Sequence, residues 1–283
     1  MERWRQTVRR EEVTSRNILN MKRKILFVVL IAIIVWSLST TLKTREGQES
    51  RTIPLDIYQT WETSDLPEKM KECVERLKSQ NPGFRHHFFD DAARRAFIKE
   101  HFDKSVLNAY NKLIPGAYRA DLWRYCVLYI NGGIYLDIKY SNVDGFDLIE
   151  LTNDEYFVPD IEDSGGGIYN AFMICKAGNP IMKRAIDGVV ENVKNEYYGE
   201  SGLCPTGPML LKRCFGEDEF QKAKSNGLGI CRHNENTSVC LHDKPILTVY
   251  DEYYKGDINK NNQWHYSELW VKRKIYNSTV SYF

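Results

Sequence analysis

Pro115-Gly116-Ala117-Tyr118-Arg119-Ala120-Asp121-Leu122-Trp123-Arg124-Tyr125, followed by Asn131-Gly132-Gly133-Ile134-Tyr135-Leu136-Asp137, is the stretch whose reading decides the fold. Residues 117–129 read as a helix with Ala120, Trp123, Val127 and Tyr129 turned inward. Asn131-Gly132-Gly133 stops that helix, and Ile134 to Lys139 then reads as an apolar strand. Upstream, Ile53–Thr60 and Phe84–Phe89 have strand character, whereas Glu68–Lys78, Ala92–Glu100 and Ser105–Leu113 have helical spacing. Asp90-Asp91 supplies a cap for the second of those helices, and Asn81-Pro82-Gly83 supplies a turn. Strands alternating with helices predict an α/β domain with a largely parallel, Rossmann-like sheet. Ligands of such sheets collect at the carboxyl ends of the strands, which is where Asp137 falls.

A carboxylate emerging there can hold Mg²⁺ or Mn²⁺, which prefer oxygen ligands and bridge diphosphate oxygens. Taken alone, it favours the plainer reading of an aspartate that caps a turn, and as a strand-end surface group it is expected to contribute little to the core. The preceding helix carries Arg119, Asp121 and Arg124 among Ala, Leu, Trp, Tyr and Cys. Asp121 and Arg124 stand three apart and so share a helix face. Buried charges need partners. Sugar hydroxyls would serve both groups, and so would a purely structural Asp–Arg pair. His86, His87, His101, His233 and His242 have no metal-ligand spacing, and no GxSxG, HExxH or Walker pattern occurs.

The quoted stretch resembles the DXD-containing sugar-transferase family, glycosyltransferase family 32, which includes fungal Golgi mannosyltransferases and is related to the clostridial toxin glucosyltransferases. Ile57-Tyr58-Gln59-Thr60-Trp61, Asn81-Pro82-Gly83, Tyr169-Asn170-Ala171-Phe172-Met173 and Thr206-Gly207-Pro208 extend the resemblance in order over residues 53–208. It implies a GT-A fold, a nucleoside-diphosphate-sugar donor, a divalent metal (Mn²⁺ or Mg²⁺) and transfer with retention of anomeric configuration. Residue by residue, it implies that Gln59, Thr60 and Trp61 line the nucleotide pocket, with Arg119 and Tyr135 beside the donor. Asp121 and Arg124 would hold the donor sugar, Asp137 would touch donor and metal, and Asn170 would face the acceptor. The segment Gln263-Trp264-His265-Tyr266-Ser267-Glu268-Leu269-Trp270 loosely resembles the closing segment of related transferases. It implies His265 or Ser267 as a further metal ligand and Trp270 as a cover over the donor; an aromatic segment simply packed on the domain is the competing reading.

The chain departs from the family at Lys139, where the pattern has a second acidic residue. A charged lysine cannot ligate a metal ion. Three outcomes stay open: Asp137 suffices, Lys139 itself pairs with the diphosphate, or the site is catalytically weak. Because Lys139 alternates with Ile138 on the strand, it is expected to point to the same side as Asp137. The expectation is a retaining hexosyltransferase acting on a glycan or glycoconjugate, with a nucleotide-sugar-binding protein of weak or no catalysis as the alternative.

The 283-residue chain has a net charge of +1, which excludes a general nucleic-acid binder. Its charge is nonetheless uneven. Arg3, Arg5, Arg9, Arg10, Arg16, Lys22, Arg23 and Lys24 precede an uncharged run from Ile25 to Leu42. At about 1.5 Å per residue such a helix covers most of a hydrocarbon core roughly 30 Å thick. The predicted organisation is therefore a basic cytoplasmic tail at 1–24, a transmembrane signal anchor at 25–42, a short linker at 43–52 and a GT-A domain at 53–283. A cleaved signal peptide is the competing reading of the apolar run. The expected location is a Golgi or endoplasmic reticulum membrane, single-pass type II with a lumenal domain. Glycosylation triplets at Asn236 and Asn277 lie beyond the apolar run. Among seven cysteines, Cys231 with Cys240 and Cys204 with Cys214 are candidate pairs, whereas Cys126 and Cys175 read as buried thiols.

Overall fold

The computed structural model describes residues 31–34, 36, 52–143, 145–160, 166–234, 236–255 and 265–280. The chain divides into two compact units, residues 1–51 and 52–283. In the first, Ile31–Ile34 and Trp36 are helical with exposed side chains. Apart from Thr52, the remainder of the expected tail, anchor and linker lies outside the described residues. No helix among the described residues is long and apolar enough to cross a membrane.

The second unit begins with β1 (Asp56–Thr60), α1 (Glu68–Gln80) and β2 (Arg85–Phe89). Three helices follow: α2 (Asp91–His101), α3 (Lys104–Lys112) and α4 (Gly116–Asn131). The Asp90 carboxylate caps α2 by accepting from Ala93 N at 2.8 Å, and Asp103 caps α3 through Ser105 N. Helix α4 is buried around nearly its whole circumference from Tyr118 to Leu128, which explains why apolar residues fill every face of it. Strand β3 (Gly133–Leu136) comes next, then β4 (Tyr140–Asn142), β5 (Tyr156–Pro159) and β6 (Ile168–Cys175).

The main sheet has the order β2-β1-β3-β6-β5. Strands β2, β1 and β3 are parallel, whereas β6 is antiparallel to β3 and β5 antiparallel to β6. The sheet is therefore mixed, and not largely parallel as the helix–strand alternation suggests. The short β3 also ends at Leu136, so Asp137 follows the strand, and Ile138-Lys139 form a turn closed by Tyr140 N donating to Asp137 O at 3.1 Å. The alternation of strand side chains divides the core in two. Ile57, Ile134, Leu136 and Phe172 pack with Met70, Val74 and Leu77 of α1. Tyr58, Tyr135 and Met173 pack with Val106 and Tyr110 of α3 and with Leu122, Trp123 and Cys126 of α4.

Beyond β6 come α5 (Pro180–Lys194), α6 (Pro208–Arg213) and α7 (Glu217–Ser225). Strands β7 (Leu228–His233), β8 (Asn236–Leu241) and β9 (Lys244–Val249) join β4 in an antiparallel sheet of order β4-β9-β8-β7. Helices α8 (Glu252–Lys255) and α9 (Tyr266–Val271) complete the described elements. A disulfide joins Cys231 to Cys240 across β7 and β8. Cys204 and Cys214 are not bonded to each other; both are buried free thiols, as are Cys126 and Cys175.

Two features of this frame have measurable consequences. Gly133 opens β3 with φ +98°, and a Cβ there would lie 2.7 Å from the Asp56 carbonyl oxygen of the neighbouring strand. Gly178 shares a positive φ (+74°) but has open space around it. Gly178→Ala is expected to cost about 1 kcal/mol for backbone conformation alone. Gly133→Ala adds a backbone collision and is expected to cost about 3 kcal/mol or more, read by urea unfolding.

His86 lies on β2 with its Nε2 2.7 Å from Gln59 Oε1 of β1, and burial pushes its imidazole down to about 4. The folded-state value is thus below the unfolded one of roughly 6.5, so the unfolded chain takes up this proton first as pH falls. Stability is expected to decline from about pH 6.5 towards pH 4. His86→Gln should flatten that slope in melting curves recorded across the interval.

Candidate functional site

From β1 the chain passes through α1 to β2 on one side, then returns through α2, α3 and α4 to set β3 on the other side of β1. The connections diverge between β1 and β3, opening a crevice at their carboxyl ends. Thr60 and Trp61 leave β1 there and Asp137 leaves β3, and all three line a cavity of about 550 Å³. Asp121 and Arg124 enter it from α4, Asn170 from β6, and Tyr253, His265 and Tyr266 from the carboxyl-terminal part.

Arg124 organises the floor. Its guanidinium is 3.3 Å from Asp121 Oδ1 and 3.4 Å from Asp137 Oδ1, donates to Asn170 O at 2.7 Å, and stacks 4.4 Å above the Tyr135 ring. Asp121 is also held from the other side, Oδ1 accepting from Asn170 Nδ2 at 2.9 Å and Oδ2 from the Thr206 hydroxyl at 2.7 Å. The Tyr125 hydroxyl accepts from Asn170 Nδ2 at 3.0 Å and donates to Thr206 O at 2.9 Å. Burial raises the Asp121 carboxyl above the usual range, against the opposing pull of Arg124 and Thr206. Asp137 goes the other way. Burial acts to raise it, but Lys139, Arg124 and the Tyr135 hydroxyl together hold it below the usual range. Neighbouring carboxylates that differ in this way share a site without both resisting ionisation.

Asp137 is accordingly no surface group. Its side chain is only 22% exposed, and its backbone N–H donates to Ala171 O at 2.8 Å. Lys139 does return to the same carboxylate, with Nζ 3.1 Å from Oδ2, but the intervening turn brings it there and not strand alternation. Gln59 is fully buried, and its Nε2 donates to Asp137 O at 3.4 Å. It supports the site from behind.

Several expected residues stand elsewhere. Among the described residues that line the cavity, Gln59, Arg119, Ser267 and Trp270 do not appear, so Gln59 stands behind the pocket that the resemblance implies it lines. Arg119 is tied to Glu62 at 3.3 Å and to Asp91 at 3.0 Å. Trp270 donates its indole N–H to Tyr198 O at 2.8 Å and packs on the helical side of the core. The Ser267 hydroxyl pairs with His265 Nδ1 at 2.7 Å, and the same nitrogen accepts from Ser267 N as the cap of α9.

The metal expected at Asp137 does not fit these groups. Asp137 Oδ1 accepts from Tyr135 at 2.8 Å and Oδ2 holds the Lys139 ammonium, so a cation on this carboxylate would face another cation at contact distance. No group of three or more His, Cys, Asp or Glu side chains among the described residues is arranged to hold a metal ion.

Other lining residues had no individual signal in the sequence. Glu62 and Arg94 form an ion pair at 3.0 Å at the mouth of β1, and Asp160 adds a carboxylate beyond β5. Only contact across long separations reveals them: Glu62 and Arg94 are 32 residues apart. Trp61 lines the cavity, and its indole N–H is buried without a hydrogen-bond partner.

Residues 67–153 match the family model described as the glycosyltransferase sugar-binding region containing DXD motif. An inositol phosphoceramide mannosyltransferase of Schizosaccharomyces pombe is 35% identical over 58% of this chain and 45% of its own length. A mannosyl phosphorylinositol ceramide synthase of Saccharomyces cerevisiae is 34% identical over 81% of this chain and 56% of its own. The chain thus spans about half the length of these curated relatives. Among solved structures, the PaToxG glycosyltransferase is similar at TM-score 0.45 and 17% identity, over 63% of this chain and 76% of that one. Residues 67–153, which hold Asp121, Arg124 and Asp137, are thus similar to the sugar-binding region of glycosyltransferases that contain a DXD motif.

Proposed function

We propose that the protein transfers a hexose from a nucleoside-diphosphate sugar to a glycan or glycoconjugate, with retention of anomeric configuration. The observation that carries this reading is the convergence of Asp121, Arg124, Asp137 and Asn170 on one cavity at the carboxyl ends of β1 and β3. Its volume of about 550 Å³ suits a nucleotide sugar. Asp121 and Asp137 are acceptors for sugar hydroxyls, and Arg124, rigidly held by both, is a fixed donor. Trp61, which follows β1 and lines the cavity, is the aromatic side chain placed to pack against the base.

In the reaction the anomeric carbon–oxygen bond to the diphosphate breaks, and its electron pair leaves with the diphosphate. The acceptor hydroxyl oxygen bonds to the same carbon on the same face, and its proton passes to the departing phosphate oxygen. The protein contributes positioning and preorganised charge, without supplying a reacting atom. Asn170, whose amide is locked by Asp121 and Tyr125, borders the face from which the acceptor enters.

The alternative is a protein that binds nucleotide sugar without turnover, favoured by the closure of the Asp137–Lys139 pair in a site that resembles a metal-using one. The lumenal, membrane-anchored arrangement belongs to the same proposal. The uncharged run at 25–42 and the Cys231–Cys240 disulfide support it, because such bonds persist in oxidising compartments.

A panel of UDP- and GDP-sugars, mannose first because both yeast relatives carry it in their names, decides between the readings. Inositol phosphoceramide and simple glycans serve as acceptors, in Mn²⁺ and in chelator. Sugar transfer is the expected result; tight donor binding with no product would establish the alternative. Asp137→Asn keeps the side-chain shape and is expected to lower kcat at least about a hundredfold. Asp137→Ala, which strands Arg124 and Lys139, should also destabilise the fold by about 3 kcal/mol, seen as a lower melting temperature. Normal turnover in Asp137→Asn would remove this residue from the mechanism.

A further inference from the structure

The side chain of Lys139 is only 11% exposed, an unusual setting for a lysine. Its Nζ is 3.1 Å from Asp137 Oδ2 and lies 5.4 Å from the ring centroid of Tyr140, 5.8 Å from that of Tyr169 and 5.6 Å from that of Tyr253. Three aromatic faces and one carboxylate form a box for an ammonium ion. The backbone is pinned as well. Tyr140 N donates to Asp137 O at 3.1 Å, and Tyr250 N donates to Lys139 O at 3.2 Å, so the turn is held against the end of β9. The ion pair with Asp137 and the ring faces around it offset the cost of burying this charge. The ammonium is therefore held in the cavity wall by its carboxylate partner.

Charge balance on the floor follows from this. Asp121, Asp137, Arg124 and Lys139 form one connected cluster of two carboxylates and two cations. An acidic side chain in place of Lys139 would leave the same cluster with two uncompensated negative charges, a demand that a divalent cation meets. With lysine present that demand is already met.

We propose that Lys139 takes the place of a divalent cation in this site, its ammonium neutralising the donor diphosphate, so that a nucleoside diphosphate binds without metal. The inference rests on the donor-site reading above and adds the source of the positive charge. A diphosphate entering beside Asp137 exchanges one anionic partner of Lys139 for another or shares it, while the tyrosine box keeps the ammonium in position. A fixed cation of this kind requires no reorganisation as the leaving group develops charge.

The test is calorimetric titration of UDP and GDP into the full-length protein, in EDTA and in excess MnCl₂, with the paramagnetic resonance signal of free Mn²⁺ read in parallel. The wild type should bind one of the nucleotides with affinities equal within about threefold in the two buffers and take up no Mn²⁺ with it. Lys139→Met should weaken binding about tenfold or more in both buffers. Lys139→Asp should bind weakly in EDTA, recover in MnCl₂ and quench the free Mn²⁺ signal as nucleotide is added. Circular dichroism establishes that each variant is folded, and the wild-type comparison stands without any variant. Wild-type binding that disappears in EDTA and returns with MnCl₂ would overturn the inference while leaving the donor site intact. If neither nucleotide binds in either buffer, the donor-site reading falls and the inference falls with it.

Discussion

Arg124 sits between Asp121 and Asp137 in the interior of the domain, with its guanidinium also bonded to the Asn170 carbonyl and stacked on Tyr135. A buried cation of this kind is tolerated only when its partners are in place, because desolvation would otherwise cost several kcal/mol. The requirement extends outward. Asp121 must be met by Asn170 and Thr206, and Asn170 by Tyr125. Helix α4, strand β6 and the loop before α6 are therefore positioned by one charge cluster as much as by apolar packing. The same cluster is what the cavity presents to a ligand, so stability and recognition rest on the same atoms.

The sheet order explains why the cluster lies where it does. Because β2 and β3 flank β1 on opposite sides, the chain diverges at the carboxyl ends of β1 and β3 and leaves a crevice between them. Thr60, Trp61 and Asp137 emerge at that opening. Antiparallel β6 then brings Asn170 in at its amino-terminal end, from the opposite chain direction.

A second ionic network lies at the β1 end of the cavity, where Glu62 and Asp91 share Arg94 and Arg119. Arg94 is fully buried and receives support from Tyr110 through Asp91. This network fixes the turn that presents Trp61, and it leaves Arg119 committed to structure. The two networks divide the arginines of α4: Arg124 faces the cavity floor and Arg119 ties the helix to the end of β1.

Much of this was legible in the primary sequence. Helix periodicity, the Asp90 cap, the Asn131-Gly132-Gly133 stop and the apolar run of β3 each depend on residues close together in the chain, and local physics suffices to read them. The i, i+3 relation of Asp121 and Arg124 is likewise local, and the pairing of Cys231 with Cys240 across nine residues is nearly so. The antiparallel entry of β6, the partners of Glu62 and Arg94, the placement of Trp270 against Tyr198 and the burial of Asp137 were not legible, because each depends on contacts between distant segments. Lys139 shows the division most clearly. The sequence by itself determined that a cation stands two residues after Asp137. Only the tertiary structure decided that a turn, and a box of tyrosines drawn from β4, β6 and α8, holds that cation on the carboxylate in the cavity wall, because the direction and burial of a side chain are set by the elements that pack around it.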